Sequence, residues 1–190
     1  YLVKEKLQTD KAEFLEMEYK YSGKMPIEIK TSGIKTADDE YISNTVKYEY
    51  DLFSNLIKTT VQSGSSVKYE YDNCDRKIKE TLEDGKSRTW KYNIKENTIE
   101  TQDANGKKLL YFYDKCGKLK EVMNNETGIT LKKLQYDKNE RLVSESDANG
   151  NTVKYTYDEL GRYKSITLLG SDGTVHSEKN ISYSNEAETG

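Results

Sequence analysis

Val67-Lys68-Tyr69-Glu70-Tyr71-Asp72 alternates apolar and charged side chains with a period of two. Successive side chains of an extended backbone point to opposite faces, so Val67, Tyr69 and Tyr71 share one face and Lys68 and Glu70 the other. The phrase returns as Val46-Lys47-Tyr48-Glu49-Tyr50 and as Val153-Lys154-Tyr155-Thr156-Tyr157, while Trp90 and Tyr92 hold its two aromatic places in another copy. Leu134 and Ile181 occupy the first place in weaker copies. The second aromatics, Tyr50, Tyr71, Tyr92, Tyr113, Tyr136, Tyr157 and Tyr183, are separated by 21, 21, 21, 23, 21 and 26 residues. One half-buried strand is therefore copied along most of the chain, the mark of a repeat protein.

The segment after each tyrosine reads as a turn. Asp114-Lys115-Cys116-Gly117-Lys118 and Asp158-Glu159-Leu160-Gly161-Arg162 combine an acceptor for local N–H groups with a glycine that tolerates positive φ. A second strand comes next, as in Arg141-Leu142-Val143-Ser144-Glu145-Ser146, and then a second turn such as Asp103-Ala104-Asn105-Gly106 or Asp147-Ala148-Asn149-Gly150. Asn-Gly between strand-like runs is a strong hairpin signal. Leu56, Leu119 and Leu142 lie six residues after their tyrosine but Ile78 and Ile99 lie seven after theirs, which predicts a bulge or a change of register on the return strand.

The expected fold is all-β, an antiparallel meander of two-stranded hairpins with about fifteen strands. At roughly 4.8 Å per strand it would be about 70 Å wide and should curl into an open trough or part of a spiral, with tyrosine rings stacked from unit to unit. Only 34% of the residues are hydrophobic and 33% are charged, and the mean hydropathy is -0.95, which argues against a thick core. Sixteen tyrosines and a single proline argue equally against disorder.

One repeat domain is expected over 1–190: an irregular first repeat with an insertion loop (1–47), regular repeats (48–183) and a truncated end (184–190). The loop is placed at 31–44, around Asp38, Asp39 and Glu40, and Ser184-Asn185-Glu186-Ala187 reads as a turn with no return strand. Exposed terminal strands could pair between chains, so end-to-end self-association is an expectation.

Tyr155-Thr156-Tyr157-Asp158-Glu159-Leu160-Gly161-Arg162, with an Asp-x-x-Gly further on, resembles the YD or RHS repeat family, and the likeness runs over about 46–183. The family includes bacterial cell-surface and secreted proteins, toxin-delivery proteins of the Tc and Rhs classes, and the animal teneurins. The resemblance implies β-hairpin ribbons that spiral into a hollow shell able to enclose a cargo polypeptide, and a secreted or surface location in a bacterium. Asn93 replaces the aspartate, Asn139-Glu140 and Ser54-Asn55 replace Gly-Arg in part, and Leu134 replaces the first tyrosine. The proline- and aspartate-containing core segment that precedes the toxin in such shells has no counterpart here.

The remaining candidates for chemistry have plainer readings. Asp51, Asp72, Asp114, Asp137 and Asp158 could line a metal or acid–base strip, but rows two strands apart, roughly 9–10 Å, are too far apart to share a Ca²⁺. A turn role suits them better. His176 is the only histidine and no base sits beside a nucleophile in the sequence, so no enzyme, metal or cofactor is expected. Cys74 and Cys116 occupy equivalent turns two repeats apart, about 19 Å, which predicts free thiols. Leu110 and Phe112 break the charged face and suggest a contact patch. Tyr48, Tyr69, Trp90, Tyr111 and Tyr155 form a ladder that could bind a glycan or an extended peptide, although cross-strand packing explains the same row.

A net charge of -3 gives no footprint for nucleic acid, and the absence of a long apolar run predicts no membrane-spanning helix. The chain begins at Tyr1 rather than Met, which suggests a fragment or processed product. The leading expectation is a non-enzymatic wall whose partners are flanking repeats or an enclosed polypeptide; the alternative is a carbohydrate-binding surface module.

Overall fold

The structure, a computed structural model, describes residues 1–8, 14–35 and 41–183. Every regular element in it is a strand: β1 (Leu2–Gln8), β2 (Phe14–Ser22), β3 (Met25–Lys35), β4 (Tyr41–Tyr50), β5 (Leu56–Val61), β6 (Ser66–Tyr71), β7 (Lys77–Thr81) and β8 (Ser87–Asn93), then β9 (Thr98–Gln102), β10 (Lys108–Tyr113), β11 (Leu119–Asn124), β12 (Thr130–Tyr136), β13 (Leu142–Asp147), β14 (Thr152–Tyr157), β15 (Tyr163–Leu169) and β16 (Val175–Asn180). Sheet order is sequence order from β1 to β16, so the fold is the antiparallel hairpin meander that the tyrosine period predicts, with sixteen strands rather than fifteen. The chain divides into two compact units, Tyr1–Trp90 with Asp103–Asn105, and Lys91–Gln102 with Gly106–Gly190.

Each unit is a thin sheet. Among the described residues Val122, 9% exposed, is the buried hydrophobic side chain and Thr98, 6% exposed, the buried polar one. The alternation sorts the rest. In β6 and β14 the apolar places are half-buried and the charged or polar places between them exposed. Directly opposed charges join neighbouring strands on the polar face, Lys58 to Glu49 at 2.9 Å and Lys79 to Glu70 at 3.0 Å.

Extra strand replaces part of the loop expected at 31–44. Thr31 pairs with Asn44 and Lys35 with Tyr41, so β3 and β4 run well beyond the lengths of the later strands. Ile34 pairs with Ile42 between them. Asp38, Asp39 and Glu40 lie outside the described residues, as does the 184–187 segment. Along β16 every residue is exposed.

The return strands keep one register. Tyr50 faces Leu56, Tyr71 faces Lys77, Tyr113 faces Leu119, Tyr136 faces Leu142 and Tyr157 faces Tyr163, always six residues on. The seventh residue, Ile57, Ile78, Lys120, Val143 or Lys164, is the extra one of a bulge placed at every such hairpin. Leu56 at six and Ile78 at seven are thus two sides of the same bulge, not two registers.

One geometry recurs in both rows of turns, at Asp51, Asp72, Asp114, Asp137, Asp147 and Asp158. The aspartate N–H donates to the carbonyl four residues on and its own carbonyl accepts from the N–H three residues on, as in Asp158 with Arg162 and Gly161, or Asp147 with Asn151 and Gly150. This is a type I turn closed by a left-handed residue at the third place after aspartate, rather than a two-residue Asn-Gly turn. Gly161 (φ 80°) and Gly150 (φ 88°) meet that demand, whereas Ser54 (φ 74°), Asp75 (φ 58°) and Glu140 (φ 63°) meet it without being glycine. An L-residue there costs about 1–2 kcal/mol, partly offset by the entropy glycine loses on folding. Ser54→Gly is expected to stabilise the first unit by about 0.5–1 kcal/mol, read from its urea midpoint. A lowered midpoint would contradict the strain.

Candidate functional site

The residues that define the repeat converge on a clamp between successive hairpins. Its first part is the turn aspartate. Asp137 Oδ1 accepts from the N–H groups of Asn139 and Arg141, both at 2.9 Å, and Asp158 Oδ1 does the same with Leu160 and Arg162. Asp51, Asp72 and Asp114 repeat the pattern with Phe53 and Asn55, Cys74 and Arg76, and Cys116 and Lys118. The second oxygen takes the guanidinium: Arg76, Arg141 and Arg162 each place Nε at 2.8 Å from the aspartate four residues before.

The second part crosses to the next repeat. Arg141 lies over the ring of Tyr157, with Cζ 4.5 Å from the centroid, and Arg162 over that of Tyr183 at 4.0 Å. Five of the second tyrosines donate their hydroxyl to a carbonyl of the preceding hairpin: Tyr50 to Pro26 (2.9 Å), Tyr71 to Leu56 (2.9 Å), Tyr136 to Leu119 (3.0 Å), Tyr157 to Leu142 (2.7 Å) and Tyr183 to Tyr163 (3.0 Å). In each case the acceptor is the residue paired with the previous tyrosine at the bulge.

Ring-on-ring stacking between successive units does not make these links. Tyr157 stacks on Tyr163 of the adjacent strand at 5.1 Å and Tyr1 on Tyr21 at 4.8 Å, but Tyr50 and Tyr71 make no ring contact with each other. Strands two apart are separated by roughly 9–10 Å, beyond the reach of stacked rings, and a hydroxyl or a guanidinium bridges what remains.

Asn93 shows what the aspartate contributes. Its side-chain oxygen accepts from Glu96 N–H, three residues on rather than two and four, and the left-handed residue moves to the fourth place, Asn97 at φ 51°.

The five ladder residues, Tyr48, Tyr69, Trp90, Tyr111 and Tyr155, are all half-buried. Tyr48 and Tyr69 lie on either side of β5, whose Thr59 pairs with Tyr48 and with Val67, so the row is interrupted by a smaller side chain. Lys77 Nζ sits 4.6 Å from the Trp90 ring and 5.4 Å from that of Tyr69. Leu110 and Phe112 share the other face with Met123, opposite Tyr111, and all three are half-buried. Cys74 and Cys116 are free and exposed, as expected. Among the described residues no group of three or more His, Cys, Asp or Glu could hold a metal ion, and no helix is long and apolar enough to cross a membrane. Sequence reading assigned the aspartates to turns but missed the tyrosine hydroxyl; its only sequence signal is that the second aromatic is always tyrosine.

The clamp has a pH window. The guanidinium of Arg76 holds the Asp72 carboxyl below the usual carboxylate range, and the N–H and then the guanidinium of Arg141 do so for Asp137. Partial burial pushes Asp158 upward but the N–H and guanidinium of Arg162 outweigh it. A depressed carboxylate stabilises the fold above its unfolded pKa of about 3.9, and that stability is lost as pH falls through the lower folded value. Burial raises the hydroxyls of Tyr50, Tyr71 and Tyr157, whose stabilisation is complete below about 10 and lost as pH rises through the folded value. Thermal stability is expected to be flat from about pH 5 to 9 and to fall on both sides. Asp137→Asn should lower the plateau and flatten the acid limb; an unchanged acid limb would remove Asp137 from the clamp.

Residues 136–175 match the profile of the RHS Repeat family. No curated protein matches the chain significantly. Among solved structures, it is similar to the Tc holotoxin pore of Photorhabdus luminescens, with 12% identity over 96% of this chain and 13% of that one and a TM-score of 0.47. It is also similar to the TcdB2-TccC3-Cdc42 structure, with 12% identity over 94% of this chain and 14% of that one and a TM-score of 0.41. A porin-like protein from Bacteroides uniformis shares 14% identity over 88% of this chain and 93% of that one, with a TM-score of 0.32. The chain therefore spans about an eighth of the length of the toxin chains it is similar to.

Proposed function

We propose that this chain is a non-enzymatic part of a bacterial YD-repeat protein, secreted or displayed at the cell surface, and that it forms a wall which encloses or presents another polypeptide. One observation carries the reading: the residues that make the repeat recognisable are occupied with one another. Asp137 and Asp158 close turns, Arg141 and Arg162 cover rings, and Tyr157 and Tyr183 hold backbone carbonyls. Carboxylates held by N–H groups and a guanidinium are poorly placed to act as bases, whereas a clamp that recurs along the chain suits a long wall. The RHS Repeat match over 136–175 supports the same role.

Protease treatment of the gene product that carries this chain tests enclosure. A segment outside the repeats should survive while the repeats are folded and be digested once Tyr157→Ala loosens them. Digestion at equal rates in both proteins would sink the idea. The lysine over Trp90 favours packing over sugar stacking for the aromatic ladder. Glycan-array binding that Trp90→Ala abolishes, with the β-sheet circular dichroism retained, would instead establish the carbohydrate-binding role.

A further inference from the structure

Successive tyrosine hairpins leave a groove between their tips, and two equivalent grooves differ in charge. The first, about 470 Å³, lies between the turns that begin at Asp51 and Asp72; its apolar walls are Phe53, Ile57, Tyr69 and Tyr71. The second, about 640 Å³, lies between the turns that begin at Asp114 and Asp137. Lys118 of the second groove pairs with Glu140 at 3.3 Å and stands 5.5 Å from the Tyr136 ring. An ammonium thus bridges the carboxylate of one tip and the aromatic beside it.

The first groove has the same carboxylate and ring, Asp75 and Tyr71, but Asn55 where the second has Lys118. Its four acidic lining residues meet no basic lining residue. Arg76 answers Asp72 at 2.6 Å and Lys79 answers Glu70 at 3.0 Å, from outside the lining. Asp51 and Asp75 instead share the neutral amide of Asn55, at 3.1 and 2.8 Å, and among the described residues neither is joined to a cation. Beside them Phe53 is 80% exposed and Leu52 fully so.

We propose that this groove docks a lysine side chain of an extended partner polypeptide, its ammonium taking the place that Lys118 holds in the second groove and an adjoining apolar residue resting on Phe53. Opposite charge, an aromatic face and an exposed apolar neighbour are what such a segment requires. The contact lies at the hairpin tips, so it stands whether or not the wall encloses a chain.

The test is an amide chemical-shift titration of the 190-residue chain with a capped leucine-lysine-leucine tripeptide. Saturable shifts are expected at residues 53, 55, 71 and 75, with a tripeptide carrying acetyl-lysine binding at least about ten-fold more weakly. Asn55→Lys, which supplies the groove with its own ammonium, should abolish the shifts while the rest of the spectrum is kept. Should that variant not fold, Asp75→Gly removes a carboxylate at a left-handed position glycine prefers, and should weaken binding about ten-fold. Silence up to about 10 mM tripeptide, equal shifts with acetyl-lysine, or unchanged binding in the folded variant would overturn the proposal.

Discussion

Tyr157→Ala is expected to destabilise the second unit by about 3 kcal/mol, while Tyr157→Phe costs only about 1 kcal/mol. The difference comes from the several contacts of one side chain. Its hydroxyl donates to Leu142 C=O at 2.7 Å, a bond between successive repeats worth about 1 kcal/mol. Its ring stacks on Tyr163 at 5.1 Å, covers part of a thin sheet and lies under Arg141, contributions of about 0.5–1.5 kcal/mol each. Phenylalanine keeps the ring and loses the bond; alanine loses all of it. Because a repeat array melts locally as well as globally, amide exchange of β14 and β15 is the appropriate reading, beside a urea curve. A phenylalanine variant that exchanges no faster than the parent would show that the hydroxyl bond between repeats adds nothing.

Val122→Ala should cost about 2 kcal/mol, the largest effect expected from shortening an aliphatic side chain here. In a thin sheet most side chains keep one side in water, so truncation recovers solvent contact and leaves little cavity. Val122 is the exception among the described hydrophobics, 9% exposed and flanked by Tyr111 and Lys132 on the neighbouring strands. Val153, half-buried on β14, should lose only about 1 kcal/mol on the same change. Equal losses at both sites would mean that burial is uniform along the sheet. A thin sheet of this kind draws its stability from bonds between neighbours more than from a core.

Much of this was legible in the chain. The period of the tyrosines located the strands from β4 onward, and Asp158 was assigned its turn because the i+2 and i+4 amides it binds are local in sequence. Three features were not legible. Thr31 and Asn44 pair although no tyrosine phrase marks them, since residues outside the repeat carry no period that tells a loop from a ladder. Leu56 and Ile78 seemed to imply different registers because a bulge presents both residues near one partner. Tyr71 and Leu56 are joined by a hydroxyl whose direction no periodicity can reveal.

The groove carries the same lesson. Asn55 and Lys118 each stand four residues after a turn aspartate, and their difference is plain in the sequence. That each reaches the left-handed residue of the next turn, Asp75 or Glu140, is visible only once the hairpins lie side by side. By itself, then, the sequence determined the strands, their alternating faces and the turns, because those depend on bonds within five residues and on a period of two. Only the tertiary structure decided how one repeat holds the next and which turn carboxylates go without a cation. Those contacts join residues some twenty positions apart, across a distance that hydroxyl, amide and ammonium groups can bridge and tyrosine rings cannot.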